Sequence, residues 1–220
     1  MINFRGPLLK RLVQDFEVYA AAPFIDATTR QQVEAIGATC ISTHFERTGL
    51  NPVCDLKAYR LFQKEMQAIM PDVVLAYTIK PVIFGLKAAQ FTKAKRFALI
   101  TGKGSGFEAT NLKSALVSFV VKRLYRNTLK QVNGVVFQNK DDHAFFINNK
   151  LVNSKSKQTV IEGTGVDMNY YKLSAQPAIP TCVKFLFIAR LIKEKGIPEL
   201  VAASKILKAK GYDFEVQLLG

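Results

Sequence analysis

Two cations near the end of the chain are spaced to bind a diphosphate. Arg190 follows the apolar run VKFLFIA, and Lys195 stands just before Gly196 and a helical pattern that starts at Ile197. A guanidinium, an ammonium and the free N–H groups of a helix N-terminus can converge on one diphosphate at the carboxyl end of a strand. The alternative is that both side chains are ordinary solvated loop charges.

The glycine-rich segment 101–107, TGKGSGF, could also approach a phosphate. Phe107 occupies the last glycine position of G-x-G-x-x-G, and the G-x-x-x-x-G-K-[ST] spacing is absent, so neither common nucleotide-binding template fits. A flexible turn is the alternative. We favour close approach of the Gly102 and Gly104 backbone to a sugar or diphosphate, with Lys103 adding charge.

Four further residues are predicted on the same rim of the sheet. Arg5 and Gly6 stand at the start of the first helical pattern, and Thr78 and Lys80 lie in the turn after a strand pattern. Helix capping and solvated charge are the alternative roles. Their shared location at strand ends favours binding of a diphosphate group.

Alternating patterns predict the elements that position these residues. Short apolar runs alternate with helical patterns along the whole chain. This predicts an α/β fold with a doubly wound, mostly parallel, Rossmann-like sheet, whose ligand loops lie at the carboxyl ends of the strands. The strand candidates are FEVYAAA, ATCIST, DVVLAYT, RFALIT, GVVFQ, KQTVIE, VKFLFIA and FEVQLL.

A stretch rich in Gly, Pro and Ser divides this pattern into two series. We expect a Rossmann-like domain over 1–172, a linker over 173–181, and the start of a second Rossmann-like domain over 182–220. The first series opens on a helix, although such domains ordinarily open on a strand, and the second stops after two strands. We therefore expect a missing first strand and an incomplete second domain.

Composition favours an anionic partner and gives no sign of a metal site. The 220 residues include 31 basic and 17 acidic side chains, a formal charge of +14. Cys40, Cys54 and Cys182 are scattered and predict neither a disulfide framework nor a zinc site, which fits a reducing, cytoplasmic setting. No apolar run approaches the roughly 20 residues of a membrane span.

Several motifs, in order along nearly the whole chain, resemble a known family. R-x-x-x-x-K-G after an apolar strand, preceded by GTGVDMNYY, is similar to the start of the donor domain in family 4 glycosyltransferases, which have the two-domain GT-B fold. The earlier segments resemble the acceptor domain of bacterial members, especially N-acetylgalactosaminyltransferases that act on undecaprenyl-diphosphate sugars. Those segments are NFRGPLLKRL, FERTGLNPVCDLKAY, TIKPVIFGLKAA, RFALITGKGSGF and VVFQNKDD.

The resemblance implies the roles of the donor residues. A sugar, in these relatives an N-acetylhexosamine, would move from a UDP-sugar with retention of configuration and without a metal ion or other cofactor. Arg190 and Lys195 would be catalytic: they would hold the donor diphosphate and offset the charge that develops on the leaving UDP. Gly165 of the GTGVDMNYY motif would also belong to the donor site.

Two departures from the family pattern limit this expectation. The family's paired glutamates, which contact the donor, have no counterpart before Gly220, and Thr101 and Gly102 stand where many relatives have a histidine. We therefore expect the 220-residue chain to show no sugar transfer by itself and at best millimolar affinity for UDP.

The resemblance also implies an acceptor and a location. A lipid-linked polyprenyl diphosphate or a surface glycan would be the acceptor, bound by the rim residues and the glycine-rich loop, and the protein would lie on the cytoplasmic face of the inner membrane. The acceptor-binding residues would be Arg5, Gly6, Thr78, Lys80, Gly102, Lys103 and Gly104.

The helix LKSALVSFVVKRLYRNTLK is a candidate membrane contact. Its apolar stripe is predicted at Val117, Val120, Val121 and Leu124. On the opposite side we expect a basic face around one aromatic ring, which suits the anionic inner leaflet. The residues predicted to face the membrane are Phe119, Lys122, Arg123, Arg126 and Lys130.

Three classes of function stay open at this point. A glycosyltransferase is the leading one, and a non-catalytic fragment that binds membrane or acceptor is the second. A nucleic-acid-binding protein is permitted by the charge, but the chain has no aromatic and basic recognition motif, so we expect no nucleic-acid partner.

Overall fold

A computed structural model describes residues 2–45, 52–104, 107, 111–153, 156–173 and 182–220. These residues form two units, Met1–Asp167 and Met168–Gly220, each with its own internal contacts. All of the predicted linker except Leu173 lies outside the described residues, so its boundaries stay a prediction.

The first unit alternates helices and strands in the predicted order. Its strands are β1 (Tyr19–Pro23), β2 (Thr39–Thr43), β3 (Val73–Tyr77), β4 (Lys95–Ile100), β5 (Gly134–Phe137) and β6 (Lys157–Val160). Its helices are α1 (Ile2–Leu12), α2 (Ala27–Ala35), α3 (Pro52–Ile69), the composite α4 (Pro81–Gly85, Leu86–Ala88 and Ala89–Phe91), α5 (Leu112–Leu129) and α6 (Lys140–Asn148).

Every described strand pair is parallel, which confirms the predicted sheet. β1 pairs with β2, and β3, β4, β5 and β6 follow one another as neighbours in a four-stranded sheet. Parallel neighbours require a helical crossover, so the loops after β3, β4 and β5 emerge at one edge of this sheet. That edge carries most of the predicted acceptor residues.

The main core joins the four-stranded sheet to α4, α5 and α6. Phe137, Tyr125 and Phe146 are almost fully buried, and the ring of Phe146 packs edge to face against both of the others. Phe107 joins this aromatic cluster, with its centroid 5.4 Å from that of Tyr125. Aromatic pairs in this geometry contribute about 0.5–1.5 kcal/mol beyond their buried area. The cluster therefore fixes how α5 and α6 lie beside the carboxyl edge.

Helix α5 starts as predicted but presents a different face to solvent. Asn111 caps it, because its side chain accepts the Ser114 N–H while the Ser114 hydroxyl accepts the Asn111 N–H. Within the predicted apolar stripe Val121 is buried, whereas Val120 is 45% exposed, so the stripe lies only partly in the core. The exposed apolar side chains of the helix are Leu112, Leu116, Phe119 and Val120.

The described residues of the second unit form two parallel strands and one α-helix. They are β7 (Val183–Ile188), α7 (Ile197–Ala209) and β8 (Phe214–Leu219), with a 3-10 turn at Lys193–Lys195 before the helix. Gly196 has a φ of 81°, a left-handed conformation that glycine adopts without steric cost. This conformation turns the chain sharply from the lysine-bearing loop into α7.

No helix in the described part of the chain is long and apolar enough to cross a membrane.

Candidate functional site

The predicted donor cations lie where the sequence places them, on the loop between β7 and α7. Arg190 and Lys195 are both exposed, and the loop is closed by the Ile192 N–H, which donates to the Arg190 carbonyl at 2.8 Å. The Lys195 N–H donates in turn to the Ile192 carbonyl at 3.1 Å. Among the side chains that the structure describes, neither cation has a carboxylate partner.

Gly165, the third predicted donor residue, belongs to the first unit. It has a φ of 73°, and no heavy atom lies within 4 Å of the position of an added Cβ. It is therefore an open glycine turn that can accept close approach. Its proximity to Arg190 and Lys195 stays a prediction, since those residues belong to the other unit.

The turn after β3 holds Thr78 in a left-handed conformation. Its φ is 69°, which is rare for a β-branched residue because the side chain crowds the backbone. Such strain persists only where surrounding contacts enforce it, and it clusters at functional sites. Here the Thr78 carbonyl accepts the Val82 N–H at 3.1 Å, which locks the turn onto α4.

The structure brings the loops after β3 and β4 together. An added Cβ on Gly104 would lie 3.2 Å from Ile79 Cδ1, so the glycine-rich loop packs against the turn that carries Thr78. Gly102 has a φ of 150° and open space where a side chain would stand. Close approach by a ligand to this backbone is therefore sterically possible.

Arg5 reaches this edge from α1. Its guanidinium carbon lies 4.7 Å from the centroid of the Tyr77 ring, at the end of β3. Cation–π contact holds the cation beside the Thr78 turn while leaving its hydrogen-bond donors available. Gly6 lies inside α1, where an added Cβ would make only an ordinary contact 3.6 Å from Ile2. A functional role for Gly6 stays a prediction.

Lys80 is held in a buried ion pair. Its ammonium lies 2.7 Å from the Asp55 carboxylate of α3, and the two side chains are only 12% and 7% exposed. A cation that is already paired contributes less to an incoming anion than an unpaired one. The geometry therefore favours a supporting role for Lys80 under the Thr78 turn.

Lys103 and Lys122 share one aromatic ring, which sequence reasoning missed. Their ammonium groups lie 5.1 and 5.6 Å from the centroid of Phe145 on α6. Phe145 packs edge to face against Phe107, so the ring is fixed by the core. In the described residues no carboxylate pairs with either lysine, so this ring carries two cations without a counter-charge from the described chain. Lys122 of α5 therefore contacts the same ring as Lys103 of the glycine-rich loop.

The predicted basic face of α5 is divided by these contacts. Arg126 is half-buried and donates to the carbonyls of Asn149 and Lys150, both at 3.0 Å, at the C-terminus of α6. Arg126 and Lys122 therefore do not share one exposed face with Phe119, because each is drawn to α6. Phe119, Arg123 and Lys130 are exposed as predicted.

Gln138 is a second residue that the sequence did not single out. It follows β5, its N–H donates to Ile100, and its carbonyl accepts the Gly163 N–H, so it joins the ends of three strands. Its side-chain Nε2 is buried without a hydrogen-bond partner. Buried unpaired donors are rare and call for a partner such as water or a ligand. The unpaired Nε2 of Gln138 is visible only in the folded structure and not in the sequence.

No cluster of metal-ligating side chains is found among the described residues.

Comparisons with known proteins bear on the fold and on the kind of protein that this chain resembles. No protein-family model matches the chain. The sequence is 27% identical over 227 residues to the N,N'-diacetylbacillosaminyl-diphospho-undecaprenol alpha-1,3-N-acetylgalactosaminyltransferase of Campylobacter jejuni, covering 94% of this chain. The chain spans 58% of the length of that curated relative.

A solved structure shows the same fold. A glycosyltransferase from Rickettsia africae superposes with a TM-score of 0.62 at 16% identity, over 100% of this chain and 58% of its own. Both similar proteins are glycosyltransferases by name. Sequence and fold together thus confirm the motif-based prediction: the chain is similar to the family 4 glycosyltransferases and has their Rossmann-like α/β architecture.

Proposed function

We propose that the protein takes part in the transfer of an N-acetylhexosamine from a UDP-sugar to a polyprenyl-diphosphate-linked acceptor, with no transfer expected from these 220 residues by themselves. The observation that carries the proposal is the similarity over 94% of the chain to an enzyme named for this kind of transfer. The open, basic carboxyl edge of the first unit supports it. A surface glycan is the alternative acceptor.

In the proposed reaction, an acceptor hydroxyl forms a bond to the anomeric carbon, the bond to UDP breaks, and the hydroxyl proton passes to the departing diphosphate, with net retention. As the bond to UDP breaks, negative charge accumulates on the diphosphate. Arg190 and Lys195 offset that charge, so the reaction uses no metal ion. Gly165 allows the donor to approach the backbone.

The acceptor diphosphate would lie at the carboxyl edge of the four-stranded sheet. Lys103, Lys122 and Arg5 supply charge, and the Gly102 backbone supplies room. The amide of Gln138 adds a donor that has no hydrogen-bond partner among the described residues. Thr78, Lys80 and Gly104 shape the loop that carries these groups.

Binding of a soluble acceptor analogue tests this proposal. In titration calorimetry, the 220-residue chain is expected to bind geranyl diphosphate saturably, and Lys103→Ala or Lys122→Ala is expected to weaken binding about tenfold. Loss of one charge-assisted hydrogen bond of about 1.5–3 kcal/mol has at least this effect. Lys10→Ala, which removes an exposed lysine of α1, is the matched control. Affinities unchanged by both site variants would reject the acceptor site.

We also propose that α5 rests on the anionic cytoplasmic leaflet of the inner membrane, as a peripheral contact. Four exposed apolar side chains share its outer face, as given above, and Arg123 continues that face towards the C-terminus. Apolar side chains with nearby cations are suited to the bilayer interface. Each cation near an anionic surface contributes about 1 kcal/mol.

Vesicle sedimentation tests the membrane contact. Replacing Leu116 and Phe119 together by serine is expected to lower partitioning onto phosphatidylglycerol vesicles at least tenfold, since each fully buried side chain is worth about 1.5–3 kcal/mol. Phe16→Ser is the control, because Phe16 and Phe119 are both 64% exposed. Equal pelleting of the double variant and the wild type would contradict the proposal.

A further inference from the structure

A basic groove lies at the edge of the sheet opposite to the proposed acceptor site. It has a volume of about 430 Å³ and runs between α4 and the C-terminal half of α5, beside the start of β4. Its polar lining combines three cations, three amides and a hydroxyl, with no carboxylate among the described residues. These residues are Lys87, Gln90, Arg96, Asn127, Thr128, Lys130 and Gln131.

Arg96 is the central cation of the groove, and its backbone is fixed. Its N–H donates to Asn133 Oδ1, and its carbonyl accepts the Asn133 N–H, both at 2.8 Å. Since both bonds tie β4 to the segment after α5, the position of Arg96 depends on the sheet itself and not on a mobile loop.

The guanidinium of Arg96 is partly buried and poorly satisfied. Within the described chain, its side chain makes one long hydrogen bond, 3.5 Å to the Leu86 carbonyl, although a guanidinium has five donors. Burial lowers the pKa of Arg96, which means that its surroundings disfavour the charge. No carboxylate of the described residues offsets that cost. An external anion would do so.

The other lining residues add charge to a groove with fixed walls. Thr128 donates to the Ile83 carbonyl at 3.2 Å, which joins α5 to α4. Lys87 and Lys130 line the groove together with Arg96, and the Lys87 ammonium lies 5.9 Å from the centroid of the Tyr59 ring. Several cations with amide donors around one guanidinium match the acceptor oxygens of a phosphate group.

We propose that this groove is a second anion site, which binds a phosphate group away from the proposed transfer site. Two sources fit the chemistry equally: the headgroup of an anionic lipid and a free phosphate ester. The inference does not depend on the proposed transfer reaction, because none of the residues of the groove except Lys130 was assigned a function above.

Phosphate binding can be measured on the 220-residue chain with two kinds of probe. Inorganic phosphate and glycerol 3-phosphate, titrated at constant ionic strength and followed by ³¹P NMR, report a free ester. Vesicles with phosphatidic acid, compared with neutral vesicles, report a headgroup. Arg96→Met is expected to weaken binding of the responsive probe about tenfold, and Lys130→Met, which changes an exposed position, about threefold or more.

Controls separate the groove from general charge. Lys64→Met removes an exposed lysine of α3 and is expected to leave phosphate binding unchanged. A response to soluble phosphate identifies a free-ester site, and a response to vesicles alone identifies a headgroup site. If Arg96→Met and Lys130→Met both bind every probe as the wild type does, the inference is wrong. This holds whatever the outcome with geranyl diphosphate.

Discussion

Lys80→Met is expected to lower the free energy of unfolding of the first unit by about 3–5 kcal/mol. The substitution leaves the Asp55 carboxylate, whose side chain is 7% exposed, without the ammonium that lies 2.7 Å away. A buried charge without a partner has lost its hydration, and no ion pair compensates for that loss. Urea denaturation followed by circular dichroism measures the loss, which should appear as a lower midpoint at an unchanged slope.

Two further variants make this result interpretable. Arg11→Met breaks an exposed ion pair with Asp15 in the same unit and should cost at most about 1 kcal/mol. The double variant Asp55→Leu with Lys80→Met removes both charges and should regain most of the stability. A loss below 1 kcal/mol in Lys80→Met alone would show that the pair is not buried in solution.

Arg190→Ala or Lys195→Ala is expected to weaken UDP binding by at least tenfold. Each substitution removes a cation proposed to bind the donor diphosphate, at about 1.5–3 kcal/mol per charge-assisted hydrogen bond. Since both side chains are exposed, affinity for UDP should also fall as salt is added. ³¹P NMR titration of the diphosphate resonances measures affinities in the millimolar range.

The control for the donor site is another lysine of the second unit. Lys205 is exposed on α7 and lies ten residues beyond Lys195, so Lys205→Ala removes the same charge from the unit without touching the loop. UDP affinity that falls equally in all three variants would indicate binding to net charge, and the proposed role of Arg190 and Lys195 would be wrong.

The sequence was sufficient to predict the order of elements, because helical and strand periodicities differ and alternate regularly. Asn111 directly precedes the helical pattern LKSALVSFVVKRLYRNTLK and forms its cap, since a local side-chain bond decides that position. The turn that carries Lys193 and Lys195 before Gly196 is also determined by residues close together in the sequence. In each case the residues that determine the structure are neighbours in the chain.

The face of α5 could not be predicted, because apolar residues stand on both sides of this helix. Val120 and Val121 are adjacent and chemically identical, and only packing against α6 and the sheet decides which is buried. The same holds for Lys122, whose partner Phe145 lies on another helix. Contacts between distant segments leave no periodic signal in either one.

Some candidate binding residues can be recognised in the sequence, and others only in the structure. Strand ends followed by glycine or cations are recognisable motifs, so Arg190 and Lys103 could be found. Gln138 and Arg96 look ordinary in sequence, and their significance lies in hydrogen bonds that their neighbours do not supply. A polar side chain that lacks hydrogen-bond partners can be recognised only in the folded chain, because neither composition nor residue spacing reveals it.

The course of α5 has a geometric consequence for access to a lipid. The helix begins at the carboxyl edge of the sheet and ends at the opposite edge, about 27 Å away at 1.5 Å per residue. If its outer face lies flat on a bilayer, the strands run parallel to the membrane plane. The carboxyl edge of the sheet, with the proposed acceptor site, then opens parallel to the membrane at the level of the lipid headgroups. A diphosphate could slide in laterally without its polyprenyl tail leaving the hydrocarbon.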